Sequence, residues 1–313
     1  MNTTRRTGIL LALVTAAISG FSVFLNGYGV KAFHDATLYT TAKNLVAAAV
    51  LLAVALVLVR AGARGGVRPT WPATTAQRLG LGLVGVIGGS LPFVLFFEGL
   101  ARASSPQAAF IHKTLVLWVA ILAVPLLGER LQWGHWAAIA LLVVGQVGLA
   151  GGLPGSFGTP GLFILAATLL WSVEVIVAKR LLHDVSSWTV GIARMGLGSL
   201  ALLAWLGVRG ELGGLVSLTQ AQLGWALATG VLLAAYVGTW FAALARAQAV
   251  DVTAVLVLAA PITAGLNAVV NGTALAPQTS WLAALLAGGV AAVWLGWRTA
   301  PPELSPATAG ARR

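Results

Sequence analysis

The chain has 313 residues, 58% of them hydrophobic and only 9% charged, with a net charge of +11 and no cysteine. A soluble domain carries about 25% charged residues, so the composition excludes a water-borne globule and points to an all-α integral membrane protein. The alternating segments of about ten residues that build a transmembrane barrel are absent. Most of the excess base lies between apolar runs, which marks topology and not a nucleic-acid partner.

The apolar runs lie at 8–30, 37–59, 79–101, 106–127, 133–151, 161–180, 187–208, 222–244, 251–271 and 279–298, ten in all. Each is near the length of about 20 residues that crosses a hydrocarbon core at about 1.5 Å per residue. The first follows Arg5 and Arg6, as a signal peptide would. It continues to Val30, too long for such a segment, and no small-residue cleavage site closes it. In the third run, Gly82, Gly85, Gly88 and Gly89 permit close helix approach. Pro92, Pro125 and Pro261 either free carbonyls beside a cavity or serve packing alone.

The fourth run, in Ala108–Arg130, is the one around which the site is expected. Ser104, Ser105 and Pro106 precede it as helix-start residues, and Gly128-Glu129-Arg130 ends it. Its first third carries His112 and Lys113, an expensive pair at membrane depth and therefore a functional candidate. Further on, Thr159-Pro160, Ser186-Ser187, Asp251 and Thr279-Ser280 read as helix caps. Residues 300–313 read as a disordered tail.

Basic residues orient the chain. With the N-terminus in the cytoplasm, inside segments carry Arg5, Arg6, Arg60, Arg64, Arg68, Arg78, Arg130, Lys179, Arg180, Arg246, Arg298, Arg312 and Arg313, against Lys31, Arg102 and Arg209 outside. Thirteen against three predicts both termini inside. The chain also repeats. Phe96-Phe97-Glu98-Gly99-Leu100-Ala101-Arg102-Ala103 is similar to Trp240-Phe241-Ala242-Ala243-Leu244-Ala245-Arg246-Ala247, at an offset of 144. Because five helices per copy is an odd number, the copies are expected in opposite orientation, with a site near the midplane between them.

These features, with Trp171-Ser172 in mid-helix, Leu126-Leu127-Gly128-Glu129-Arg130-Leu131 at a helix end and Gly145-Gln146-Val147-Gly148, resemble the EamA-like family of the drug/metabolite transporter superfamily. The resemblance covers about residues 8–298, with repeats at 1–152 and 153–299. It implies a secondary transporter that exports small metabolites, often amino acids, by proton coupling or exchange. The second copy departs from the first: Asn271-Gly272-Thr273 stands for Gly128-Glu129-Arg130, and Leu256-Val257 for His112-Lys113. Any site is therefore expected to be asymmetric.

The ionisable groups placed at depth are Lys43, Glu98, His112, Lys113, Glu174 and Arg194. Lys113 or Lys43 would meet a substrate carboxylate, His112 would exchange a proton, and Glu98 would act as counter-ion or proton carrier. The plainer reading pairs Glu98 with Lys113 and Glu174 with Arg194 as helix-joining ion pairs. Trp118, Trp171, Tyr236 and Trp240 lie deep enough either to line a cavity by stacking or to serve as packing or lipid-facing aromatics, with Trp118 on the face of His112 and Lys113. Trp71, Trp133, Trp136, Trp188, Trp225, Trp281, Trp294 and Trp297 fall near helix ends, as an interfacial belt would.

The expected partners are a small-molecule substrate, membrane lipid and protons, with no cofactor and no metal, as a monomer or homodimer. Abundant Arg, Ala and Gly fit a high-GC bacterium and its cytoplasmic membrane. The competing readings are an intramembrane enzyme, for which no His-Glu-x-x-His or Gly-x-Ser-x-Gly motif is found, and a lipid-handling or channel-type protein.

Overall fold

The computed structural model of the protein describes residues 3–33, 35–62, 68–103, 108, 111–149, 158–272 and 279–298. Every regular element among them is a helix, as a chain without water to satisfy its backbone requires. In order these are α1 (Thr3–Phe33), α2 (Ala36–Arg60), α3 (Thr75–Gly89), α4 (Leu91–Arg102), α5 (Leu115–Leu127), α6 (Trp133–Leu149), α7 (Gly158–Leu181), α8 (Ser187–Val208), the single turn α9 (Gly213–Val216), α10 (Gln220–Leu244), α11 (Ala249–Leu256), α12 (Ala259–Asn271) and α13 (Thr279–Arg298). Eight helical segments are long and apolar enough to cross a membrane, counting α3 with α4 and α11 with α12, and two shorter apolar helices cover Ile111–Leu127 and Trp133–Gly148.

Local chemistry sets many of the ends. Asp35 caps α2 by accepting from Leu38 N–H, Ser186 caps α8 by accepting from Thr189 N–H, and Thr74 and Thr219 form capping boxes with Gln77 and Gln222. At the other ends, α5 stops at Gly128 with φ +68° and α12 at Gly272 with φ +66°. These two left-handed glycines lie 144 residues apart, the offset at which the sequence repeats. The expected cap at Asp251 is not one: α11 begins two residues earlier, at Ala249, and its first amides are held from outside by Glu129.

The packing shows the same repeat. In the first half α1 packs on α10 and α12; in the second, α7 packs on α4 and α5. Likewise α2 packs on α10 while α8 packs on α3. The remaining large interfaces, α2 with α8 and α6 with α13, are self-paired. Exchanging each helix for its counterpart in the other half reproduces the set, which is how two copies related by a two-fold axis pack. Each half buries its apolar faces mainly against the other.

Three segments that the apolar runs predict as continuous are broken. The third is interrupted at Ser90, between α3 and α4, where φ −133° and ψ −79° leave the helical region. The ninth is interrupted at Val257 and Leu258, between α11 and α12. The fourth also has a turn at Thr114, the position matching Leu258 at the 144-residue offset. Ser104, Ser105, Pro106 and the tail at 300–313 lie outside the described residues.

Candidate functional site

The break at Ser90 follows from Pro92. In a helix the carbonyl of residue i accepts from the N–H of i+4, and proline has none. The Gly88 carbonyl therefore loses its donor. Phe93 N–H bonds to Ser90 at 3.0 Å, so Gly89 loses its donor too. Side chains make good both losses. Trp171 Nε1 donates to Gly88 at 3.1 Å, and Asn44 Nδ2 donates to Gly89 at 3.0 Å. One donor comes from α7 and the other from α2, so both halves of the chain close on the break.

Close approach makes this possible. A Cβ on Gly89 would stand 1.9 Å from the Arg194 carbonyl, and one on Gly198 would stand 2.6 Å from the Gly89 backbone. The α3 and α8 backbones touch here because neither carries a side chain. A Cβ on Gly88 would meet the Glu174 carboxyl at 2.7 Å.

Charge is concentrated around the break. Arg194 Nε lies 3.0 Å from Glu174 Oε1, with both side chains buried, so this expected pairing is present. Lys43 Nζ donates to Asn26 Oδ1 at 3.0 Å, and the Tyr39 hydroxyl donates to the same oxygen. The Asn26 amide turns away to the Ser22 carbonyl. Lys43 thus has a neutral polar partner and, among the described residues, no carboxylate, and its ammonium lies 4.4 Å from the Phe97 ring centroid.

An aromatic chain links these groups. Trp171 stands edge-on to Phe93 at 5.3 Å and to His112 at 5.0 Å, and Phe96 contacts both His112 and Trp171. The Arg194 guanidinium lies 5.6 Å from the Phe93 centroid. His112 Nδ1 is buried without a hydrogen-bond partner among the described residues. Tyr236 and Trp240 stack at 6.0 Å on α10, and Tyr236 lies within electrostatic range of Arg194 and Glu174.

Lys43, His112, Trp171, Glu174 and Arg194 are therefore brought around one break, with Tyr236 and Trp240 beside it. The other candidates lie elsewhere. Glu98 bonds Arg102 at 2.8 Å, four residues on and largely exposed, so the expected pair with Lys113 does not form. Trp118 Nε1 donates to Thr114 Oγ1 at 3.1 Å. Trp118 makes no ring contact with His112 among the described residues; the aromatic partners of His112 there are Phe96 and Trp171. Lys113 lines a separate small cavity with Gln146 and Val257.

Asn26, Tyr39 and Asn44 are polar groups of the site that a reading of charged residues alone misses. Their signal is present in the sequence, as amides and a phenol inside apolar runs, where an unsatisfied polar group is costly.

A second buried cluster lies where the predicted inside segments meet. The Glu129 carboxylate accepts from Ala249 N–H at 2.6 Å and Val250 N–H at 3.1 Å, occupying the N-terminus of α11. Lys179 Nζ donates to the Leu244 and Ala247 carbonyls at the C-terminus of α10. Asp251 pairs with Arg5 and lies 3.3 Å from His135 Nε2. Burial pushes the Glu129 carboxyl above its ordinary value, against the lowering effect of its two amides and Lys179. Each charged side chain here binds an element remote in sequence, so the cluster joins the two halves.

Comparison with known proteins agrees with this architecture. No curated protein matches the sequence. A solved crystal structure superposes with a TM-score of 0.71 at 20% identity, over 91% of this chain and 98% of that one, which establishes a shared fold. The sequence matches the EamA-like transporter family over residues 6–151 and again over 159–297. Two successive matches cover nearly the whole chain, and the chain belongs to the EamA-like transporter family, within the drug/metabolite transporter superfamily.

Proposed function

We propose that the chain is a secondary transporter that exports small metabolites such as amino acids across the cytoplasmic membrane, with access alternating between its two halves. The observation that carries this reading is the Ser90 break: two buried cations, a buried carboxylate and an aromatic wall meet there, supplied by both halves of the chain. Lys43, whose hydrogen-bond partner among the described residues is neutral Asn26, is free to take a substrate carboxylate. Trp171 and His112 form the aromatic wall, with Tyr236 and Trp240 beside it. Protonation of Glu174 would release Arg194, which couples proton uptake to substrate binding.

This reading has ten crossings, with both termini in the cytoplasm. Support comes from bonds near the helix ends. Arg5 with Asp251, Thr70 with Ser186, and Arg180 with the Leu126 carbonyl each join two segments predicted inside. Asp35 with Arg209, Gln222 with Ala32, and Tyr28 with Asn271 each join two predicted outside.

The test is uptake of labelled amino acids into everted vesicles, with and without an imposed pH gradient, by wild type and Arg194→Gln. Gradient-dependent uptake is expected in wild type and at least about tenfold less in the variant at equal amounts of folded protein. Equal uptake by both would remove Arg194 from the site. No gradient-dependent uptake across the amino-acid panel would overturn the substrate class.

A further inference from the structure

We propose that the cavity beside Lys113 is a binding site for a small monovalent anion, separate from the site at the Ser90 break. It lies between α5, α6 and the break that separates α11 from α12, walled by Val116, Leu142 and Val257. Lys113 and Val257 are equivalent residues of the two repeats, 144 positions apart, and both line it. The cavity therefore sits where the paired helix breaks face one another, and only one copy brings a charge.

Two of the residues that line the cavity carry donors, Lys113 and Gln146. Gln146 is 5% exposed, and its Nε2 is buried with no hydrogen-bond partner among the described residues. Lys113 has no hydrogen-bond or ion-pair partner among the described residues. The Thr114 hydroxyl donates to the Ile111 carbonyl at 2.6 Å and accepts from Trp118, so its proton is committed. His112, one residue before Lys113, packs against Phe96 and Trp171 and is outside this lining.

An ammonium and an amide carried by residues that line a chamber whose other walls, apart from Thr114, are apolar favour an anion over a cation. Water would satisfy the hydrogen bonds but leave the charge uncompensated. Two donors among hydrocarbon walls are too few for a dianionic phosphate or sulfate, which favour forked or multiple donors. A halide or the carboxylate end of a small molecule fits both the charge and the donor count.

The experiment is thermal melting of the purified full-length protein in lipid nanodiscs, in potassium sulfate buffer of fixed ionic strength, titrated with chloride or with acetate. A saturable rise in Tm is expected with at least one of them, absent in Lys113→Met and with about tenfold weaker apparent affinity in Gln146→Leu. A response to chloride alone assigns a halide site, and a response to acetate alone a carboxylate site. No response to either in folded wild type, or an undiminished response in Lys113→Met, overturns the proposal. Should a variant fail to fold, equilibrium binding of radiolabelled chloride and acetate to wild type decides the matter: saturable binding of either supports the site, and binding of neither overturns it. None of these readouts involves transport, so the site stands or falls independently of the proposed function.

Discussion

The indole N–H of Trp171 fills the hydrogen-bond position that Pro92 leaves empty, donating to the Gly88 carbonyl at 3.1 Å from a helix in the other half of the chain. A break in one helix has thereby become a point of attachment for another. Replacing Trp171 with Phe keeps most ring contacts but strands a buried carbonyl, at a cost of about 1–3 kcal/mol. Pro92→Ala restores an N–H within the helix itself. In that background the Trp171→Phe cost should fall by about 1 kcal/mol or more, read from a double-mutant cycle of thermal melts. Equal costs in both backgrounds would show that Trp171 does not serve that carbonyl.

Glu129 links the end of α5 to the start of α11, and its protonation should be visible in stability. A carboxyl held above its ordinary value binds a proton more readily in the folded chain than in the unfolded one. Its contribution is complete below the unfolded value and fades as pH rises through the folded one. The stability difference between wild type and Glu129→Gln should therefore shrink from acid toward neutral pH. Growth of that difference with rising pH would mean that the ionised carboxylate is the form the helix end holds. Glu129→Ala, which strands two amides, should cost about 1 kcal/mol or more at any pH.

Gly89 and Gly82 sit on the same helix but differ in what surrounds them. A Cβ at Gly89 would stand 1.9 Å from backbone, whereas one at Gly82 meets nothing within 4 Å. Gly89→Ala should destabilise by about 1–3 kcal/mol through forced separation of α3 and α8. Gly82→Ala should be neutral or stabilising by about 0.5–1 kcal/mol, since alanine is the better helix former. Matched melting curves of the two variants decide it, and equal tolerance at both positions would contradict the α3–α8 contact.

The apolar runs were legible because crossing a membrane demands a certain length of apolar chain, and length is a property of sequence alone. The 144-residue repeat was legible too, and it reappears in the paired left-handed glycines, Gly128 and Gly272, and in the paired helix breaks. The destination of each charge was not legible. Glu98 turned to Arg102 on its own helix, while Asp251 met Arg5 from 246 residues away and Trp171 reached Gly88 from 83. A helix apolar on nearly every face carries no periodicity to say which side meets which neighbour. That choice is made by close backbone contact, as at Gly89 and Gly198, and by carbonyls left without donors at Pro92. Sequence by itself determined how many apolar segments there are and how they repeat; only the tertiary structure decided which polar groups share an interior, because their partners lie on other helices.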